Sequence, residues 1–274
     1  MSNFGLVGLA PLFFVLGLGG AAGAAGPGDP THHGDEVKVR APAPRTKGTE
    51  ALAGAAKLKR EASGKKGEEK LEALVRAARG YERVARDLAD EKAAAAEASF
   101  RAGEIWRTMK HAEDARRCFE AAAAESTEAP GFAARAWLEL GHLDRHQKRL
   151  DEAQRCYERV LAIVPAQRRE CARALTWQGK VLIDQKNEKD GHAVLLSVGE
   201  RFPEFPLDDV RNVDLVAVDW IRAGRVAEAR SLVNDCVERH SEPDDDESDV
   251  EPSIRRALER MKSRELLQDT AESK

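Results

Sequence analysis

The chain has 274 residues, 34% of them charged, 42% hydrophobic and only 5% aromatic, which is long enough for a sizeable core and has the Ala-, Glu- and Arg-rich character of helical proteins. With 44 basic and 48 acidic residues the net charge is −4, so the chain lacks the strong positive field that non-specific nucleic-acid binding draws on, and no nucleic-acid partner is expected. Four cysteines, Cys118, Cys156, Cys171 and Cys236, are too few for a disulfide-built scaffold and show no C-x-x-C spacing.

Residues 4–26 carry no charge, and the strongly apolar stretch Leu6 to Leu18 runs into Gly-Gly-Ala-Ala-Gly-Ala-Ala-Gly. A short apolar run followed by small residues is a secretory pattern. The expectation is a signal peptide over residues 1–26, cut after Ala24 or Ala25, and an exported protein, periplasmic or extracellular. The competing reading is an uncleaved membrane anchor. No Lys or Arg precedes the run while Lys38, Arg40, Arg45 and Lys47 follow it, which would leave the remainder in the cytoplasm. Seven glycines and Pro11 make the run a poor helix. Residues 27–49 are rich in Pro, Gly and charge without apolar periodicity, and read as a disordered linker. His32 and His33, near Asp29 and Asp35, have no second shell there to hold a metal.

From residue 50 to 240 the chain repeats itself every 38 residues. Ala77, Ala115, Ala153, Gly191 and Ala229 form one ladder of small residues, each followed four positions later by a large apolar one: Tyr81, Phe119, Tyr157, Leu195 and Val233. Gly103, Gly141, Gly179 and Ala217 form a second ladder twelve residues earlier, and Pro165 and Pro203 a third. Each unit reads as two helices joined by a short turn. In the clearest one, helix one runs from Ala133 to about Gln147, helix two from about Asp151 to Val164, and Pro165 stops it. Gly141 and Ala153 let the two backbones approach, and Tyr157 fills the space beside them. One pair cannot cover the apolar stripe of Trp137, Leu140 and Gly141, so neighbouring units must stack. The first unit keeps only Ala77 and Tyr81 on a clear second helix, Glu68 to about Asp87, with a first helix over Ala51 to Ala62.

The run Trp137, Leu140, Gly141, Ala153, Tyr157 and Pro165 resembles the tetratricopeptide repeat signature. The resemblance implies an all-α, right-handed superhelical solenoid of antiparallel helix pairs, about five repeats over residues 50–240. It also implies a protein that binds other proteins. The period exceeds the family's usual 34 residues, with the extra residues placed between one unit's second helix and the next unit's first.

Residues 241–251 hold seven carboxylates and read as a solvated acidic loop. Beyond it, Pro252 starts a helix over residues 252–268 whose stripe of Ile254, Ala257, Leu258 and Met261 suits a C-terminal cap on the array.

The sequence carries no Gly-rich phosphate loop, nucleophile elbow or Cys/His nucleophile pairing, so no enzyme, catalytic residue or cofactor is expected. Trp106, Trp137, Trp177 and Trp220 stand near the buried stripe and read as core. The cysteines read as buried thiols, with a Cys156–Cys171 disulfide open to an exported domain. His142 and His146, one turn apart, have no evident third ligand, so a metal protein or enzyme centred on them is a distant alternative. What remains is the face of each helix one that, in a solenoid of the kind the resemblance implies, lines the concave groove. Spacing places Arg107, Arg135, His142, Arg145, His146, Arg173, Lys180 and Arg211 there, interspersed with Glu97, Phe100, Glu104, Leu138 and Asp184. The expected function is a non-enzymatic scaffold holding a protein or peptide segment of anionic character on these Arg and His donors. The competing readings are a merely solvated charged face and a membrane-anchored, cytoplasmic-facing assembly factor, tethered through residues 4–26.

Overall fold

The computed structural model describes residues 46–163, 166–240, 256–257, 259–261 and 263. The expected signal or anchor, the linker up to residue 45, Pro165 and the acidic loop 241–251 lie outside the described residues. Ten helices fill residues 47–240: α1 (Lys47–Ser63), α2 (Gly67–Asp87), α3 (Lys92–Thr108), α4 (Ala112–Ala124), α5 (Pro130–His146), α6 (Leu150–Leu161), α7 (Arg168–Asp184), α8 (Glu188–Arg201), α9 (Pro206–Arg222) and α10 (Val226–His240). They pair as α1/α2, α3/α4, α5/α6, α7/α8 and α9/α10, and each second helix also packs on the next unit's first. No strand occurs among the described residues. The result is an all-α solenoid of five stacked pairs.

From α3 onward the period holds to the residue. The first helices α3, α5, α7 and α9 are each 17 residues long and start 38 apart, as do the second helices; only the ends of the second helices vary. The intervening turns are equally regular. Lys110, Lys148, Lys186 and Gly224 take φ of 64°, 61°, 68° and 77°, a left-handed conformation that closes each first helix with two reversed hydrogen bonds. In the third unit Lys148 N donates to Arg145 O (3.0 Å) and Arg149 N to Asp144 O (2.9 Å), which is the Schellman closure. Glycine adopts it without strain, whereas the three lysines carry a Cβ penalty.

The small-residue ladders are the places where helices cross. Ala77, Ala115, Ala153 and Ala229 are at most 1% exposed, and Gly191 is buried with them. At the second ladder, a Cβ on Gly103 would lie 2.6 Å from the Phe119 ring and one on Gly179 2.7 Å from Leu195; on Gly141 it would run still closer to the Tyr157 ring. Contacts that short do not occur, so the large residue sixteen positions on dictates glycine. In the last unit the partner is Val233, and alanine is tolerated at Ala217.

The first unit departs from the frame. α1 ends at Ser63 and α2 spans 21 residues, so the turn falls earlier and the second helix gains about two turns at its start. Leu58 packs against Gly80 instead. The linker expected to reach residue 49 ends sooner, because the Thr46 side chain caps α1 by accepting from Thr49 N (3.2 Å) and residues 47–49 are helical. α6 likewise stops at Leu161, short of Val164. Of the capping helix, Ala257 and Met261 have helical backbone and bury against Val210, Val213, Val233 and Cys236; Ile254 and Leu258 lie outside the described residues. All four cysteines are free and buried, so the Cys156–Cys171 bridge does not form.

Candidate functional site

Successive first helices lie side by side, α3 on α5, α5 on α7 and α7 on α9, so positions repeating every 38 residues form rows along the array. One row is Glu97, Arg135, Arg173 and Arg211, at the same position in α3, α5, α7 and α9. A second, two turns on, is Glu104, His142 and Lys180. Towards the turns come Arg107 and Arg145, with His146 closing α5.

The structure divides the expected groove cations into two groups. Arg107, His142, Arg145 and His146 surround a cavity of about 670 Å³, completed by Thr108, Lys110, Ala112, Leu143 and Trp177. Arg135, Arg173 and Arg211 are not in it. They stand one per unit towards the other end of the first helices.

Many of these cations are already paired between units. Arg107 Nη1 donates to Glu139 (2.7 Å), Arg145 Nε to Asp184 (2.8 Å), and Arg135 lies 3.8 Å from Glu170 with its guanidinium 4.8 Å from the Phe132 ring. Arg101 takes both groove acids of the second unit, Glu97 and Glu104. Exposed Arg173, Arg211, Lys110 and His146 have no ion pair among the described residues. The groove is therefore less basic than its residue list.

Trp177 is the centre of the cavity wall. The His142 ring meets it edge-on at 4.6 Å, Lys180 Nζ lies 4.4 Å and the Arg145 guanidinium 5.2 Å from its centroid, an arrangement of cations on an aromatic face. Burial lowers the Lys180 ammonium below its usual range, with Arg145 and Arg211 adding to the effect. His142 is pushed down to about 3, first by burial and then by Arg173, Arg107, His146 and Arg145. Its Nδ1 lies 2.9 Å from the Tyr157 hydroxyl. The imidazole is thus neutral above about pH 3 and meets Tyr157, Trp177 and the cavity without a charge of its own. The one three-ligand grouping among the described residues includes neither His142 nor His146.

Further residues depart from expectation. Phe100 and Leu138, placed on the groove by spacing, are 4% and 2% exposed, because first helices packed on both neighbours bury more than one stripe. Trp177, read as core with Trp106, is half-buried: it packs against the core and also walls the cavity, while Trp106 is buried and donates its Nε1–H to Glu82 (2.9 Å). Lys110 was missed, although Lys110, Lys148 and Lys186 recur every 38 residues.

Five helix pairs, three of them with a glycine at the crossing, and cations along the first helices define a helical-repeat solenoid. Residues 134–167, covering α5 and α6, match the tetratricopeptide repeat family profile. The fold of the chain is similar to the nearly identical TPR-like repeats of a kinesin light chain protein of Podosopora anserina (TM-score 0.52, 12% identity, covering 72% of this chain and 97% of that one). MamA (TM-score 0.48, 15% identity, 71% and 95% covered) and the RpL4 assembly chaperone Acl4 (0.47, 16%, 84% and 100%) are also similar. No curated protein sequence matches.

Proposed function

We propose that the protein is a non-enzymatic scaffold whose inner face binds an acidic protein segment, anchored at the cavity between α3, α5 and α7. The observation that carries this reading is the composition of that cavity. Arg107, Lys110, Arg145 and His146 rim an apolar wall of Trp177, Leu143 and the neutral His142, and the carboxylates that Arg107 and Arg145 already meet, Glu139 and Asp184, stand outside its lining. Such a site suits a carboxylate-bearing segment with an apolar or aromatic neighbour: the rim supplies charge-assisted donors and Trp177 the flat contact. Rim contacts of this exposure contribute about 1 kcal/mol or less each and weaken with salt.

The test uses a fluorescent peptide of alternating Glu and Leu and its Gln counterpart. The Glu peptide should bind, its affinity should fall with salt, and Lys110→Glu with His146→Glu should abolish binding without moving the melting temperature. Equal binding of the two peptides would sink the acidic reading. Export is the second element of the proposal, supported by the apolar run and small-residue tail of residues 4–26. Among the described residues no helix is long and apolar enough to cross a membrane. Amino-terminal sequencing of the native protein should begin near Gly26; an intact Met1 or Ser2 in a membrane fraction would favour the anchored, cytoplasmic-facing alternative.

A further inference from the structure

The last unit holds a constellation that the groove does not use. Asp209, in the first turns of α9, has a side chain only 2% exposed. It is pressed so closely on α8 that no side chain could replace the hydrogen of Gly199. Facing it from α10 are Cys236, fully buried, and His240, one helical turn further along the same face. Their carboxylate oxygen, sulfur and imidazole nitrogen all lie within 4.8 Å of one another, and His240 Nε2 is 2.8 Å from Asp209 Oδ2. Independently of that spacing, Asp209 Oδ1 is buried without a hydrogen-bond partner. A carboxylate oxygen in that position lacks the compensation that buried polar atoms normally have.

We propose that Asp209, Cys236 and His240 form a zinc-binding site that joins α9 to α10. The donor set is one oxygen, one sulfur and one nitrogen, the mixture that suits zinc rather than calcium or magnesium, which take oxygen ligands. Three protein ligands leave the fourth tetrahedral position to water or to the second carboxylate oxygen. On binding, the Cys236 thiol gives its proton to solvent and the thiolate takes the metal. Arg239 competes, since its guanidinium also bonds Asp209 Oδ2. Its side chain is 46% exposed and can turn out to water, so the competition lowers affinity without blocking the site.

The test is titration of the full-length protein with Co(II), a spectroscopic stand-in for zinc. The expected result is one equivalent bound with a thiolate-to-cobalt charge-transfer band, displaced by Zn(II), and a melting temperature that rises with free Zn(II). Cys236→Ser should remove the band, whereas Cys118→Ser, Cys156→Ser and Cys171→Ser should keep it. Metal held by His32 and His33 gives no thiolate band and so cannot imitate the result. His240→Ala should weaken binding at least about tenfold, since losing even an outer-shell partner costs 10- to 100-fold, while Arg239→Ala should tighten it. Absence of the band in folded wild-type protein, or its survival in Cys236→Ser, would overturn the proposal. The outcome is independent of the groove, whose peptide test involves none of these residues.

Discussion

The third and fifth units are the same device built with different parts. In the third, Gly141 faces Tyr157 and Lys148 makes the left-handed turn; in the fifth, Ala217 faces Val233 and Gly224 makes the turn. His142 hydrogen-bonds Tyr157 in the third unit, whereas the fifth has Val218 at that level and no hydroxyl to meet. The difference teaches that crossing positions are conditioned in pairs. A ring sixteen residues on requires a missing Cβ, a smaller partner allows one, and the backbone path stays the same.

Exchanging these parts should break the equivalence in graded steps. Tyr157→Ala removes a fully buried ring and should destabilise the fold by about 3–5 kcal/mol, read by urea denaturation. Gly141→Ala forces a methyl into that ring and should cost about 1–3 kcal/mol by overpacking, despite alanine's better helix propensity. Combining Gly141→Ala with Tyr157→Val, the pair the fifth unit uses, should cost less than the two single changes summed. Strict additivity would show that the residues do not share one space.

His142 supplies a pH test of the same contrast. Its folded value is lowered to about 3 from an unfolded value near 6.5. Between these the unfolded chain binds the extra proton, so stability falls as pH drops through that window, by up to about 1.4 kcal/mol per pH unit. His142→Gln should flatten the slope of stability against pH from about 6 to 4; an unchanged slope would assign acid sensitivity to other groups.

The smallest effect concerns the turn. Lys148→Gly relieves a left-handed Cβ worth roughly 1–2 kcal/mol but loosens the unfolded chain by about 0.4–1 kcal/mol. A net gain of roughly 0.5–1 kcal/mol is expected in melting or urea midpoint. Gly224→Lys should lose a similar amount.

The period, the five pairs and the crossing residues were legible because side chains that must meet a neighbouring backbone recur wherever the backbone recurs. Ala153, Gly141 and Tyr157 announce that geometry without any knowledge of the partner helix. The cap by Thr46, two turns' lengthening of α2 and the left-handed lysines were less legible, since each departs from the ladder or repeats only a common surface residue. The inner face was legible only by position. Spacing places Arg107, Arg145 and Arg135 along the first helices, but only packing brings Glu139, Asp184 and Glu170 from adjacent units to meet them. Likewise the pattern Cys236-x3-His240 is local to one helix, whereas Asp209 joins it through the pairing of α9 with α10. The sequence by itself determined the helices and their order, because helix periodicity and close-approach residues act over one unit. Tertiary structure decided which charges stay free, which histidine is neutral and which tryptophan faces a cavity, because pairing and desolvation depend on atoms some 30 to 40 positions away that no local pattern specifies.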